Sequence, residues 1–175
     1  MKRILFNDKF GLTKAVLEGR KTMTRRIVPE KQLYYIRRHF RGLAVMEAPF
    51  KYDEVVAVAQ SYKQMCDELD ADLSVAEMYI GAAGWGNKMF VKAEDMLHKI
   101  RITNIRVERL QDISDEDCLR EGIRKMTFDT FSFDSWKFFA RSPREAFAAL
   151  IDKVSGVGTW DSNPWVFVYE FELVK

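Results

Sequence analysis

Between Lys99 and Leu110 the apolar residues change parity: Ile100 and Ile102 stand at even positions, Ile105 and Val107 at odd ones. Side chains alternate faces along a strand with a period of two, so one buried face cannot change parity unless a residue is inserted. The pattern predicts a bulge near Thr103 and Asn104, or two strands meeting there. Bulged strands bend and twist strongly, which suits a barrel.

The rest of the chain supplies short strands and short helices in alternation. Arg3 to Phe6 reads as a strand. Leu12, Ala15 and Val16 recur at helical spacing, with Asn7 or Asp8 available as a cap and Gly19 as a stop. Lys21 to Val28 reads as a basic strand ended by Pro29, residues 30 to 41 suit a helix, and Glu54 to Tyr62 carries the run Val55 to Ala59, apolar enough for burial on both faces. Ser74 to Glu77 has capping-box spacing, and glycines at 81, 84 and 86 break the helix it would open. Residues 63–90 thus read as an insertion.

In the carboxyl half, Ser114 caps an acid-led helix running to Glu121, with Gly122 as its stop. Ser142, Pro143 and Glu145 combine an N-cap, a first-turn proline and a capping acid ahead of Ala146, Phe147, Leu150, Ile151 and Val154 at helical spacing. After Asn163-Pro164, the residues Trp165, Phe167, Tyr169, Phe171 and Leu173 share one strand face while Glu170 and Glu172 share the other, so one face should pack and the other be wet. With no steady βαβ rhythm, the expectation is one α+β domain over residues 1–175, a mixed β-barrel with short flanking helices and a middle insertion. The 47% apolar composition of 175 residues suits one core.

Net charge is only +2, but it is unevenly spread. Arg20, Lys21, Arg25, Arg26, Lys31, Arg37, Arg38 and Arg41 lie against Glu30 alone, interleaved with Tyr34, Tyr35, His39 and Phe40. Cations for phosphate and rings for stacking are what a single-stranded nucleic acid requires; the same residues also fit a solvated amphipathic helix with core aromatics. The acidic counterweight, from Asp53 to Glu77, could instead cover the basic segment as an internal ion-pair seam.

Gly19-Arg20-Lys21-Thr22-Met23-Thr24-Arg25-Arg26 resembles the Gly-x-Lys-x-x-x-x-Arg signature that follows the first helix of ASCH domains. Two further blocks agree in order: residues 106–113 leading to Glu121-Gly122, and Trp160-Asp161-Ser162-Asn163-Pro164-Trp165 before a strand ending Glu-Phe-Glu, which is similar to phage-type ASCH proteins. The resemblance implies a PUA-like barrel with a cleft beside the first helix and RNA or a modified nucleoside as partner. Arg20, Arg25, Arg26, Arg37 and Arg38 would then be candidate nucleic-acid contacts. Some small ASCH members are amidohydrolases acting on an acylated cytidine through a Lys, a Thr and a Glu, which map to Lys21, Thr24 and Glu121. A third alternative is a phage-type module that binds another protein through the insertion.

The trio is chemically coherent, because a Lys with a depressed pKa can deprotonate a Thr hydroxyl while a carboxylate orients it or relays protons. Geometry imposes a condition: residues three apart point to opposite faces of a regular strand, so Lys21 must lie in a turn or the strand must be irregular. The chain departs from the small catalytic members in its length and in Tyr52-Asp53-Glu54, which replaces the usual Gly-Asp turn.

Other signals point away from cofactors. His39 and His98 lack a metal-ligand partner pattern, the glycines at 81–86 match neither a P-loop nor GxGxxG, and no metal or nucleotide cofactor is expected. Cys66 and Cys118 stand alone, and no apolar run approaches a bilayer span, so a reducing cytoplasmic setting without membrane contact is expected. Phe128, Phe131, Phe133, Trp136, Phe138 and Phe139 read as a core or subunit seam.

Overall fold

A computed structural model describes residues 1–133 and 138–174. Five strands form one mixed sheet: β1 (Arg3–Ile4), β2 (Met23–Ile27), β3 (Val55–Val58), β4 (Lys99–Arg109) and β7 (Trp165–Val174). Their hydrogen-bonded order is β1-β3-β4-β7-β2, with β1 parallel to β3 and every other pair antiparallel. A separate hairpin joins β5 (Arg124–Thr127) and β6 (Thr130–Ser132). The helices are α1 (Leu12–Leu17), α2 (Glu30–Arg37), α3 (Arg41–Met46), α4 (Tyr62–Glu68), α5 (Leu73–Glu77), α6 (Asp115–Arg120), α7 (Pro143–Ser155) and α8 (Thr159–Ser162). The architecture is α+β, as expected.

The central pair β4–β7 carries the bulge that the parity change requires. Ile102 faces Phe171 and Asn104 faces Glu170, so Thr103 is the extra residue. Below it Ile100 and Ile102 are fully buried, and beyond it Ile105 and Val107 pack against the same core.

The expected barrel is not closed by backbone pairing. β1 spans two residues before the chain turns through Asn7, whose side chain accepts from the Lys9 amide, so β2 has no strand of useful length to pair with across the gap. Yet the two edges approach each other, since the Arg26 guanidinium on β2 donates to the carbonyl of Leu5, just beyond β1. The sheet curls until its edges are one side chain apart, and a side chain bridges the seam.

The last strand also differs from the expectation of one wet face. Val166 and Val168 are as buried as Phe167 and Tyr169. Arg25, Val168 and Arg106 are cross-strand neighbours and so share a face. That face is covered by α6, whose Asp117 takes hydrogen bonds from both arginines. Charged residues buried in pairs thus stand where alternation alone calls for solvent.

Several local readings need correction. Asp72, not Ser74, caps α5, its side chain accepting from the Val75 amide, while the capping box lies at Ser61 and Gln64 on α4. The helix expected over 30–41 is two, because His39 takes φ 63° between α2 and α3. At the altered turn, Asp53 itself adopts φ 60°, a conformation Asp tolerates better than most residues, so the missing glycine is replaced rather than avoided. A second, small apolar cluster joins Met65 of residues 63–90 to Val91, Ala93 and Met96 just beyond them, packed with Ala57 and Ala59 of β3 and its end. Among the aromatic group, Phe133 stacks on Phe138 at 5.0 Å, Phe128 and Phe139 are exposed, and Trp136 lies outside the described residues.

Candidate functional site

Lys21 meets the geometric condition by lying outside the strand. After α1, Gly19 turns at φ 72° and the amides of Arg20 and Lys21 both donate to the Ala15 carbonyl at 2.9 Å, which folds residues 20–22 back under the helix before β2 begins. The Lys21 side chain is therefore free of strand alternation. It shares a cavity of about 280 Å³ with Thr24 and Glu121, although Glu121 is 100 residues away along the chain.

Glu121 ends α6, and the turn at Gly122 (φ 105°) brings it inward. A Cβ on Gly122 would stand 3.7 Å from the Cβ of Lys21, so the two segments are in close contact. Lys21 Nζ donates to Glu121 Oε2 at 2.6 Å and to the Glu121 carbonyl at 2.8 Å. The pair is almost inaccessible, with side-chain exposures of 2% and 4%. Burial pushes the Lys21 amine below its ordinary pKa even though the Glu121 carboxylate pulls the other way.

Thr24 lies on β2 opposite Tyr169, facing the curled interior, and is buried. Its hydroxyl has no hydrogen-bond partner among the described residues and borders the cavity. Phe6 lies beneath the cations, with Lys21 Nζ and the Arg26 guanidinium each 5.8 Å from its ring centre. Phe147, Leu150, Ile151 and Val154 of α7 contribute an apolar part of the lining.

Arg25 is a structural hub rather than a surface contact. Its guanidinium, with 1% of the side chain exposed, binds Glu108 at 2.6 Å, Asp117 at 2.7 Å and Glu121 at 3.3 Å. Arg106 and Arg120 extend the network to Glu108, Asp117 and Glu170. Arg25 therefore does not offer itself to a phosphate backbone, which corrects its place among the nucleic-acid candidates. Arg20 pairs with Glu18 at 2.7 Å and stands outside the cavity.

The acidic segment does not cover the basic one in these pairings. Asp53 binds Arg101, Glu54 binds Lys2, and Glu68 binds His98. The buried cations are answered instead by Glu108, Asp117 and Glu121, acids of the carboxyl half on β4 and on α6 and its end.

Arg37 and Arg38 lie together on exposed α2 and its end, Arg37 paired with Glu30 and Arg38 over the Tyr34 ring at 4.6 Å. Beside them, Arg41 and Arg109 both lie over the Trp165 ring, at 4.7 and 4.5 Å. Sequence reading missed Arg109 and Trp165 as members of this face, because only the fold brings β4 and β7 beside α3. Ile27 borders both the cavity and a second depression, on this face, lined by Leu33, Arg37, Arg109 and Trp165.

No family model, curated protein or solved structure matches the chain. No helix among the described residues is long and apolar enough to cross a membrane.

Proposed function

We propose that the cavity binds a modified nucleoside and hydrolyses its amide, as some small ASCH-type, PUA-like members do. The observation that carries this reading is that buried Lys21 and Glu121 and the unpartnered Thr24 hydroxyl line one small cavity. A nucleoside ring fits between the Phe6 side and the apolar α7 wall, and the curled seam gives a PUA-like barrel a physical basis without a closed ladder.

In the reaction, the Thr24 hydroxyl attacks the amide carbonyl and its proton passes to neutral Lys21. Burial favours that neutral amine, and the Glu121 side chain and carbonyl hold it in place. The tetrahedral intermediate collapses as Lys21 returns the proton to the departing amine. A water then attacks the acyl ester on Thr24 and gives its proton to Lys21, which passes it to the Thr24 oxygen as the ester C–O bond breaks, releasing the acid and restoring both the hydroxyl and the neutral amine.

Deacetylation of N4-acetylcytidine, followed by chromatography, tests this. Thr24→Ala should lower turnover by about 10³-fold or more while nucleoside binding persists. Lys21→Arg should also fail, since a guanidinium keeps its proton near neutral pH. Absence of product at high wild-type concentration would remove the substrate; full activity in Thr24→Ala would remove the site.

The α2–α3 face favours a second reading, RNA binding outside the cavity. Exposed Arg37 and Arg38, with the Arg41–Trp165–Arg109 group, place charge and rings on one surface. Short single-stranded RNA should then bind in a salt-dependent manner, and Arg37→Glu with Arg38→Glu should weaken it. Binding indifferent to salt would refute that surface.

A further inference from the structure

Within the network around the cavity, Lys21, Arg25, Arg106 and Arg120 are each ion-paired to a carboxylate. Arg26 is not. Its guanidinium makes one hydrogen bond, to the neutral Leu5 carbonyl; its Nε is buried without a partner, and no carboxylate among the described residues forms an ion pair with it. Arg26 is half-buried, and Glu121 on the same cavity wall acts on it only through space; taking a cation out of water without a directly bonded counter-ion costs free energy. Arg26 and Thr24, two apart on β2, also share a face, so the unpaired charge lies beside the unpartnered hydroxyl.

We propose that Arg26 is a binding site for a permanent anionic group, phosphate or carboxylate, on the ligand that fills this cavity. This rests on the nucleoside reading above and narrows it: the substrate is a nucleoside carrying an acidic substituent, such as a 5′-monophosphate, rather than a neutral nucleoside. A guanidinium already desolvated against the Phe6 ring gives up little hydration when it takes an oxyacid, and its planar donors match two oxygens at once. The apolar α7 wall takes the remainder of the ligand, so one end of the cavity selects charge and the other shape.

Titration calorimetry with inorganic phosphate, acetate, cytidine and cytidine 5′-monophosphate tests the proposal without requiring turnover. The monophosphate should bind at least tenfold more tightly than cytidine, and phosphate should compete with it. Acetate competing where phosphate does not would assign the group as a carboxylate. Arg26→Gln should lower affinity for the monophosphate more than for cytidine and so erase the preference for the anion, and Arg26→Lys should restore part of it. Equal affinity for cytidine and its monophosphate, with neither small anion binding in wild type, overturns the proposal, and this comparison stands even where Arg26→Gln does not fold. Anion binding without deacetylation would instead remove the hydrolase reading and leave the anion site in place.

Discussion

Replacing Glu121 with Gln tests the central ion pair most directly. The substitution keeps the shape and one acceptor oxygen but removes the charge that faces Lys21 at 2.6 Å and Arg25 at 3.3 Å. Removing one partner of a buried pair usually costs about 3–5 kcal/mol. Two features reduce that figure: Arg25 keeps Glu108 and Asp117, and Lys21 can shed its proton, a step burial already favours. A loss of about 2–4 kcal/mol at neutral pH is expected, read as a fall in Tm of about 5–15 °C. The sign of the pH dependence follows from Lys21. Its folded pKa lies below the unfolded value and falls further once Glu121 is neutral, so between the two folded values the variant holds fewer protons than wild type. Its stability therefore rises relative to wild type with increasing pH, within a window below the ordinary lysine pKa near 10.5. Urea denaturation of both proteins between pH 7 and 10 measures this, and the gap should narrow toward the alkaline end. Adding Lys21→Met should cost less than the two single changes together, since the stranded cation is gone. A loss under about 0.5 kcal/mol, flat across that range, would refute the claim that these groups are buried and coupled.

Three further outcomes are expected. Gly84→Ala should destabilise by about 1–3 kcal/mol in urea denaturation, because a Cβ there would lie 2.6 Å from the Tyr62 ring and 2.9 Å from Val91; Gly86→Ala, with open space around it, should fall within about 0.5 kcal/mol. A thiol reagent at pH 8 should modify half-buried Cys66 quickly and spare Cys118 until unfolding, since burial pushes the Cys118 thiol up to about 12. Ser142→Ala should cost about 1 kcal/mol by removing the side-chain cap on the Glu145 amide, as seen in thermal melts.

Much of the fold is legible where local chemistry decides it. The bulge at Thr103 follows from parity, the start of α7 from Ser142 and Pro143, and the stop of α6 from Gly122. The site is legible in composition but not in arrangement. Lys21 and Thr24 lie three apart in the chain, yet their sharing of one cavity depends on a turn that folds residues 20–22 under α1, set by hydrogen bonds to Ala15. Glu121 resembles a surface residue beside a helix-ending glycine; its burial comes from packing against a segment 100 residues away. The roles of Arg25 and Arg26 were not separable from sequence at all. Neighbours on one strand point to opposite faces, so one pairs with the acids of α6 while the other faces the cavity, where it forms no ion pair with a carboxylate among the described residues.

The seam between β1 and β2 gives the molecule uneven mechanical compliance. β4 and β7 are laced together along their whole length, whereas the Leu5 side of the cavity is tied to β2 by a guanidinium contact and lies next to a strand of two residues. Parting the seam therefore breaks no inter-strand amide bond of the main sheet. Such an opening is far less expensive than unfolding, so fluctuations wide enough to admit a ligand proceed while the rest of the sheet stays intact. Amide hydrogens of Leu5 to Asn7 should exchange with deuterium well before those of β4, and a ligand spanning the gap should slow the first group alone.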